Sequence, residues 1–473
     1  MPNNSHFSEQ RRVDSVKDTP WFYVLLFLIF WAPIPLGSNR PWAWGLLEIG
    51  AYITFMGCMW ANRERFFRAL FPFIWPISIF TLFLLWTLVQ TIPLPVRWVE
   101  IISPHAFALY EATQLDLAQI PLSLDSGQTT VGVLKGFSYL CLFLSTLLLC
   151  RRDERIKLIM LCIVFTGLFQ AAYGALEVLL GNRTSLVFAL PVKSNATGTF
   201  VYRNHFANYL MLSLSIGVGY LVSTLSSHAA RSKKEFIRDF FNTLLNGKAF
   251  VRIALAIMVI ALVMSRSRMG NTAFFASMTI TGLIGLFLIK NRSKGLTILI
   301  ISMFIIDMFI LSAWFGLDKV QERLAHTSLE QEKRDEVVLD SLPLLKDYIY
   351  TGSGLGSFYT IFPKYQREDI YAFYDHAHND YLQFAIETGI PATLLIGLLP
   401  ILAFVTSVRA LAKRSKNLYQ GLAFGCCMAV IGMLTHMSVD FPLQAPANSM
   451  LFVIILALAF RTKKTNRNKR ASE

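Results

Sequence analysis

Twelve runs of mainly apolar residues divide the chain, and they constrain its fold more than any other feature. They span Trp21 to Leu36, then lie near 42–60, 70–90, 131–150, 158–179, 205–226, 250–265, 269–289, 295–315, 381–407, 419–438 and 447–461. A helix needs about 20 apolar residues to cross a bilayer. Charged residues make up 16% of the 473, too few to cover a water-facing surface when soluble domains carry about 25%. A soluble globular enzyme and a disordered protein are therefore excluded. The expected fold is an all-α polytopic membrane protein of about twelve transmembrane helices. No small-residue cleavage site follows Leu36, so the first run reads as a retained span and not a removed signal peptide.

The net charge is +14. On a soluble chain that excess would suggest nucleic acid; here it reads as a bias of Lys and Arg toward one side of the membrane, and no nucleic-acid partner is expected. With the N-terminus in the cytoplasm, basic clusters near 11–17, 63–68, 151–157, 231–252, 290–294, 409–416 and 461–470 all fall inside, in short loops. The longer loops, about 91–130, 180–204 and 316–380, fall outside. The expected organisation is a cytoplasmic tail over 1–20, nine spans over 21–315, a large outer loop with short helices over 316–380, three spans over 381–461 and a basic cytoplasmic tail over 462–473. All six cysteines lie in apolar runs or at their ends, so neither a disulfide nor a zinc site is expected.

Long loops without repeats are usually functional. Gly352-x-Gly354-x-Gly356-x-Phe358 follows no strand and reads as a turn needing positive φ or close backbone approach. Before it, Val338, Leu342 and Leu345 share one face of an expected amphipathic helix, limited by Pro343. Asp375–His376–Ala377–His378–Asn379–Asp380 lies where the loop enters a span, with Glu387 about two and a half helical turns after His378. Three readings stay open for the histidine pair: simple loop polarity, a metal site lacking a third spaced ligand, or a base accepting a proton from an attacking hydroxyl. Glu387 could orient an imidazole or a neighbouring amide. Arg266 and Arg268, in Ser265–Arg266–Ser267–Arg268, and Arg203, beside Asn204, stand at outer span ends. Guanidinium groups there suit phosphate; the plainer alternative is snorkelling to the interface. No Asp-x-Asp pair is present to hold a metal-bound sugar nucleotide.

These motifs resemble the signatures of the O-antigen ligase and polymerase superfamily. The glycine motif, His376–Ala377–His378–Asn379 and Glu387-x-Gly389 match its outer-loop signature. Gly198–Thr199–Phe200 through Asn204, and Ser267–Arg268-x-Gly270, match its other two, and His436 with Asp440 matches a late-span feature of exopolysaccharide-type members. Arg203 before Asn204 is a departure. The resemblance implies a metal-independent inverting glycosyltransferase of the bacterial inner membrane, without cofactor, acting at the periplasmic face. Its donor would be a glycan on undecaprenyl diphosphate; its acceptor would be a lipid A core, another lipid-linked glycan or a protein. His378 would be the base. Arg268, with Arg266 or Arg203, would meet the diphosphate, and Asn379, Glu387, His376, Asn204, His436 and Asp440 would support them. A lipid-linked glycan flippase or other transporter is the alternative. It would need charges buried along several spans, and Glu48, Glu177 and Asp307 are the few candidates.

The orientation can be tested with single cysteines at Ser328 and Ser415 in a cysteine-free background. An impermeant thiol reagent applied to intact spheroplasts should label position 328 and spare 415; the reverse pattern would invert the topology.

Overall fold

The computed structural model describes residues 17–463 apart from 182–183, 186, 190, 192–193, 225–246, 290–296, 298–300, 303–335 and 368–372. The chain is a polytopic helical bundle. Its long helices are α1 (Thr19–Trp31), α2 (Pro41–Ala61), α3 (Arg63–Val89), then, after two short helices α4 (Val96–Ile102) and α5 (Pro104–Glu111), α6 (Ser126–Leu149), α7 (Asp153–Leu179), α8 (Arg203–Thr224), α9 (Gly247–Met264) and α10 (Arg268–Leu288). The second part holds a helix over 336–347 (α11), α12 (Phe358–Ile361), α13 (Asp380–Thr388), α14 (Ile390–Lys413), α15 (Asn417–Met437) and α16 (Pro446–Arg461).

Eleven of the twelve apolar runs coincide with described helices; the run near 295–315, with Asp307, lies almost wholly outside the described residues. The count of twelve spans is not established. Seven described helices are long and apolar enough to cross a membrane: α3, α6, α7, α8, α10, α14 and α15. Three shorter apolar helices, in α1, α9 and α16, join them.

The centre of the bundle is α8 against α15, both buried along most of their length. A Cβ at Gly219 would strike the backbone of Gly421 and Gly425, and one at Gly421 would strike Gly219. Small residues four apart on α15 therefore let two backbones meet, the packing that membrane helices use where hydrophobicity cannot drive association.

The two ends of the bundle differ. One gathers basic groups: Arg155 Nη2 lies 2.6 Å from Asp18 Oδ1, and Arg151 and Arg65 flank the same carboxylate at 3.9 and 4.0 Å. Lys416 pairs with Asp153, and Arg461 Nε donates to the Cys150 carbonyl at 2.9 Å. These are groups that the charge pattern assigned to one side. The other end carries a loop layer with its own small core, built from both 94–124 and 337–386, including Val99, Ile120, Leu344, Tyr348, Phe358, Phe362 and Ile386. A two-residue antiparallel ladder, Leu94 opposite Ile120, closes the first of these loops.

Two expectations need correction here. The amphipathic helix exists as α11, but its buried face is Val337, Asp340, Ser341 and Leu344, while Leu342 is exposed and Val338 and Leu345 lie between. The run 381–407 is not one span. It breaks at Gly389, whose φ is +79°, so α13 belongs to the loop layer and α14 starts at Ile390. A Cβ at Gly389 would collide with the Tyr350 carbonyl; the break lets the 350–354 backbone lie against the end of α13.

Candidate functional site

The site is assembled at the loop end from α13, the start of α8, the end of α15 and the turn 438–444. The backbone of the glycine motif is seated on the last turn of α13. Ser353 N donates to Ile386 O and Gly354 N to Glu387 O, both at 2.9 Å. Gln90 at the end of α3 ties the same pieces together, donating to Thr351 O at 2.8 Å and Glu387 O at 2.9 Å. Gly352, Gly354 and Gly356 all have positive φ. A side chain at Gly352 would meet the Glu387 carbonyl, and one at Gly354 the Ser123 hydroxyl. The motif is thus a close-approach turn, as its residues suggested.

That turn aims backbone N–H groups of Gly356 and Phe358 at the Glu387 carboxylate. Glu387 is 1% exposed, and burial raises its pKa to about 7, with the N–H donors and Gln383 opposing the rise. Gln383 is the connector. Its Oε1 accepts from Ala377 N at 3.2 Å, which fixes the amide so that Nε2 donates to Glu387 Oε1 at 3.0 Å and to His376 Nδ1 at 3.2 Å. Glu387 therefore orients an imidazole through an amide, and that imidazole is His376. With Nδ1 accepting, the ring proton of neutral His376 sits on Nε2. Burial also pushes the His376 imidazole down from its ordinary value, against the pull of Asp375, so the neutral form is favoured.

Phe441 gathers the rings. Its centroid lies 4.4 Å from that of His376, nearly parallel, and 4.8 and 4.9 Å from those of His378 and His205, both edge-on. Tyr202 stacks on it at 5.6 Å. His378 has φ +51°, a left-handed conformation that a non-glycine residue adopts at some cost and that clusters at functional sites. Asn379 follows as the N-cap of α13: Oδ1 accepts from Leu382 N at 3.1 Å while Nδ2 donates to Ser438 O at 2.9 Å. One residue thus holds both the start of α13 and the end of α15. Asp380 is fully buried and accepts from Leu443 N at 2.9 Å and Gln444 Nε2 at 3.4 Å, which anchors the turn that carries Phe441. Burial, with Asp440 and Glu387 nearby, raises the Asp380 carboxyl well above its ordinary value.

Below the rings, Asn204 Nδ2 donates to Asp440 Oδ2, His436 Nε2 lies 3.9 Å from the same oxygen, and Asn208 contacts His436 Nδ1 at 3.1 Å. The arginines stand at the same end. Arg203 opens α8, beside Asn204. Arg266, with φ +52°, reaches Ser194 Oγ at 3.4 Å, and Arg268 opens α10 after the Ser267 cap. Gly270 is pressed against Ala207, so the first turns of α8 and α10 touch. Arg266 and Arg268 are exposed and Arg203 is half-buried. Among the described residues no group of three His, Cys, Asp or Glu side chains is arranged to hold a metal ion.

Sequence reading singled out most of these residues without showing that they meet; it gave no role to Gln383, Asp380 or Phe441, and it passed over Lys135. Lys135 sits inside the apolar run 131–150, about one turn from its start, and a cation within such a run is itself a signal.

The burial of Glu387 has a pH consequence. Its folded pKa, about 7, exceeds its unfolded value near 4.5. Its contribution to stability is therefore complete below the unfolded value and is lost as pH rises through about 7. The thermal midpoint of the purified protein should fall from about pH 5 to 8, and Glu387→Gln should flatten that fall. An unchanged slope in the variant would assign it to another group.

No curated protein matches the chain. Residues 253–397 match the family model described as O-antigen ligase, a stretch that contains Arg266, Arg268, the glycine motif, both histidines of the loop and Glu387. This match supports a relation to the O-antigen ligase superfamily over that stretch, and with it glycan transfer of the O-antigen ligase kind.

Proposed function

We propose that the protein transfers a glycan from undecaprenyl diphosphate to an acceptor hydroxyl at the periplasmic face of the inner membrane, as a ligase or a polymerase. The observation that carries this reading is the histidine pair on Phe441. His376 already spends Nδ1 on Gln383 and holds its proton on Nε2, so it is suited to donate and not to accept. That favours His378 as the base. In the proposed step His378 takes the proton of the acceptor hydroxyl as its oxygen attacks the anomeric carbon. The glycosidic C–O bond breaks from the opposite side, and its electron pair leaves with the diphosphate, so configuration inverts.

Negative charge grows on that diphosphate, and the exposed guanidinium of Arg268, helped by Arg266 or Arg203, is placed at a span end where a lipid-borne diphosphate would arrive. Preorganised donors of this kind are worth a few kcal/mol in a site of low dielectric. We infer that they serve in place of a metal ion. The acceptor would be a lipid A core, another lipid-linked glycan or a protein.

His378→Ala should cost about 10²–10⁴-fold in transfer, whereas His376→Ala should retain part of it. Full activity of a His378→Ala protein that still accumulates in the membrane would remove it from the mechanism. Arg268→Lys should fail nearly as badly as Arg268→Ala, because a compact ammonium cannot grip two phosphate oxygens at once. In liposomes with a defined polyprenyl diphosphate donor, a fully active Lys variant would reduce Arg268 to an interfacial anchor. Activity lost to EDTA and restored by magnesium would call for a metal.

A further inference from the structure

A cavity of about 390 Å³ opens on the side of the histidine layer away from α9 and α10. That volume lies in the range of ligand pockets. Its walls are apolar, among them Leu84 of α3, Val131 of α6, Ile396 of α14 and Phe452 of α16, and its mouth reaches His376 and Gln383. It follows α16 from Pro446 to Leu456, about 15 Å at 1.5 Å per residue. None of Arg203, Arg266 and Arg268 lines it.

One cation does. Lys135, half-buried on α6, lines the cavity, and its Nζ lies 3.7 Å from the centre of the Trp44 ring. Among the described residues no carboxylate forms an ion pair with it; Glu48 of α2 acts on it only at longer range. Three acids also line the cavity. Glu387 and Asp380 spend their oxygens on the donors already described, and Asp375 stands exposed at the mouth. An ammonium inside an apolar run marks a candidate site, and the Trp44 face and the more distant Glu48 offset part of its cost without supplying a direct anionic partner.

We propose that Lys135, its ammonium supported on the Trp44 face, forms a second anion site, which takes the phosphate-bearing head of a slender single-chain lipid whose tail lies along α6 and α16. The cavity and Lys135 carry this inference by themselves; that the lipid serves as the second substrate rests on the transfer reading above. The protein would then hold two such lipids, one beside the arginines and one beside Lys135, with the histidines between.

Native mass spectrometry of His378→Ala protein in phosphatidylcholine nanodiscs tests this, since turnover is blocked. With polyprenyl diphosphate, two lipids per chain are expected. Adding Lys135→Met should weaken one of them about tenfold, while Lys135→Arg keeps both. Polyprenol of the same length should not fill the Lys135 site, and inorganic diphosphate at equal concentration should not displace the lipid. Gly397→Phe, at a cavity position where a Cβ would meet nothing within 4 Å, should weaken the same lipid by obstructing its tail and leave the other in place. Two lipids retained in a folded Lys135→Met protein would overturn the proposal, as would a single lipid in the parent or displacement by inorganic diphosphate. Loss of one lipid on Lys135→Met in a protein whose His378 form shows no transfer would sink the transfer reading and leave this site standing.

Discussion

The loop layer depends on one buried carboxylate. Glu387 sits at the end of a short helix, out of water, and would be prohibitively costly there without donors. Its donors are backbone N–H groups of Gly356 and Phe358 and the Gln383 amide. They reach it only because the 350–356 backbone lies directly on α13, and that approach leaves no room for a Cβ at Gly352 or Gly389. The consequence runs outward by contact: Glu387 holds Gln383, Gln383 holds both Ala377 N–H and the His376 ring, and so the orientation of the histidine loop is set from beneath.

A second constraint comes from the turn between α15 and α16. Asp380 receives the N–H of Leu443, and its own N–H goes to the Asp440 carbonyl at 3.2 Å. Asp440 in turn receives Asn204 of α8. Phe441, caught between these anchors, becomes the surface on which His205, His376 and His378 meet. A rigid aromatic face is a suitable support for imidazoles, because it excludes water and packs on ring faces and edges without competing for their nitrogens.

The arrangement also separates two regions that a transfer reaction between membrane-borne substrates would need to keep apart. The arginines belong to the start of α8 and to the α9–α10 turn. The apolar cavity belongs to α3, α6, α14 and α16, with Lys135 as its cation. The histidine layer lies between, touching α8 through His205 and the cavity through His376.

Much of the fold was legible in the sequence because hydropathy and charge are local properties. A run of apolar residues long enough to cross a bilayer has few alternatives to a helix, and the basic clusters near 63–68, 151–157 and 461 reappear together at one end of the bundle. The glycine motif and the His376–Ala377–His378–Asn379 string also announced themselves, since positive φ and paired imidazoles leave marks in sequence. Hydropathy missed the break at Gly389, because both sides of it are apolar and only contact with Tyr350 demands it. The tautomer of His376 was equally out of reach, as it depends on which atom of Gln383 faces Ala377. Gln90 meets Thr351 and Glu387, Asn204 meets Asp440, and Lys135 meets Trp44 across gaps in the chain that carry no local signal. Local preference and the bilayer decide where helices form; which polar atoms meet between them depends on the cost of burying one unpaired and on how the helices pack, and only the packed structure settles that.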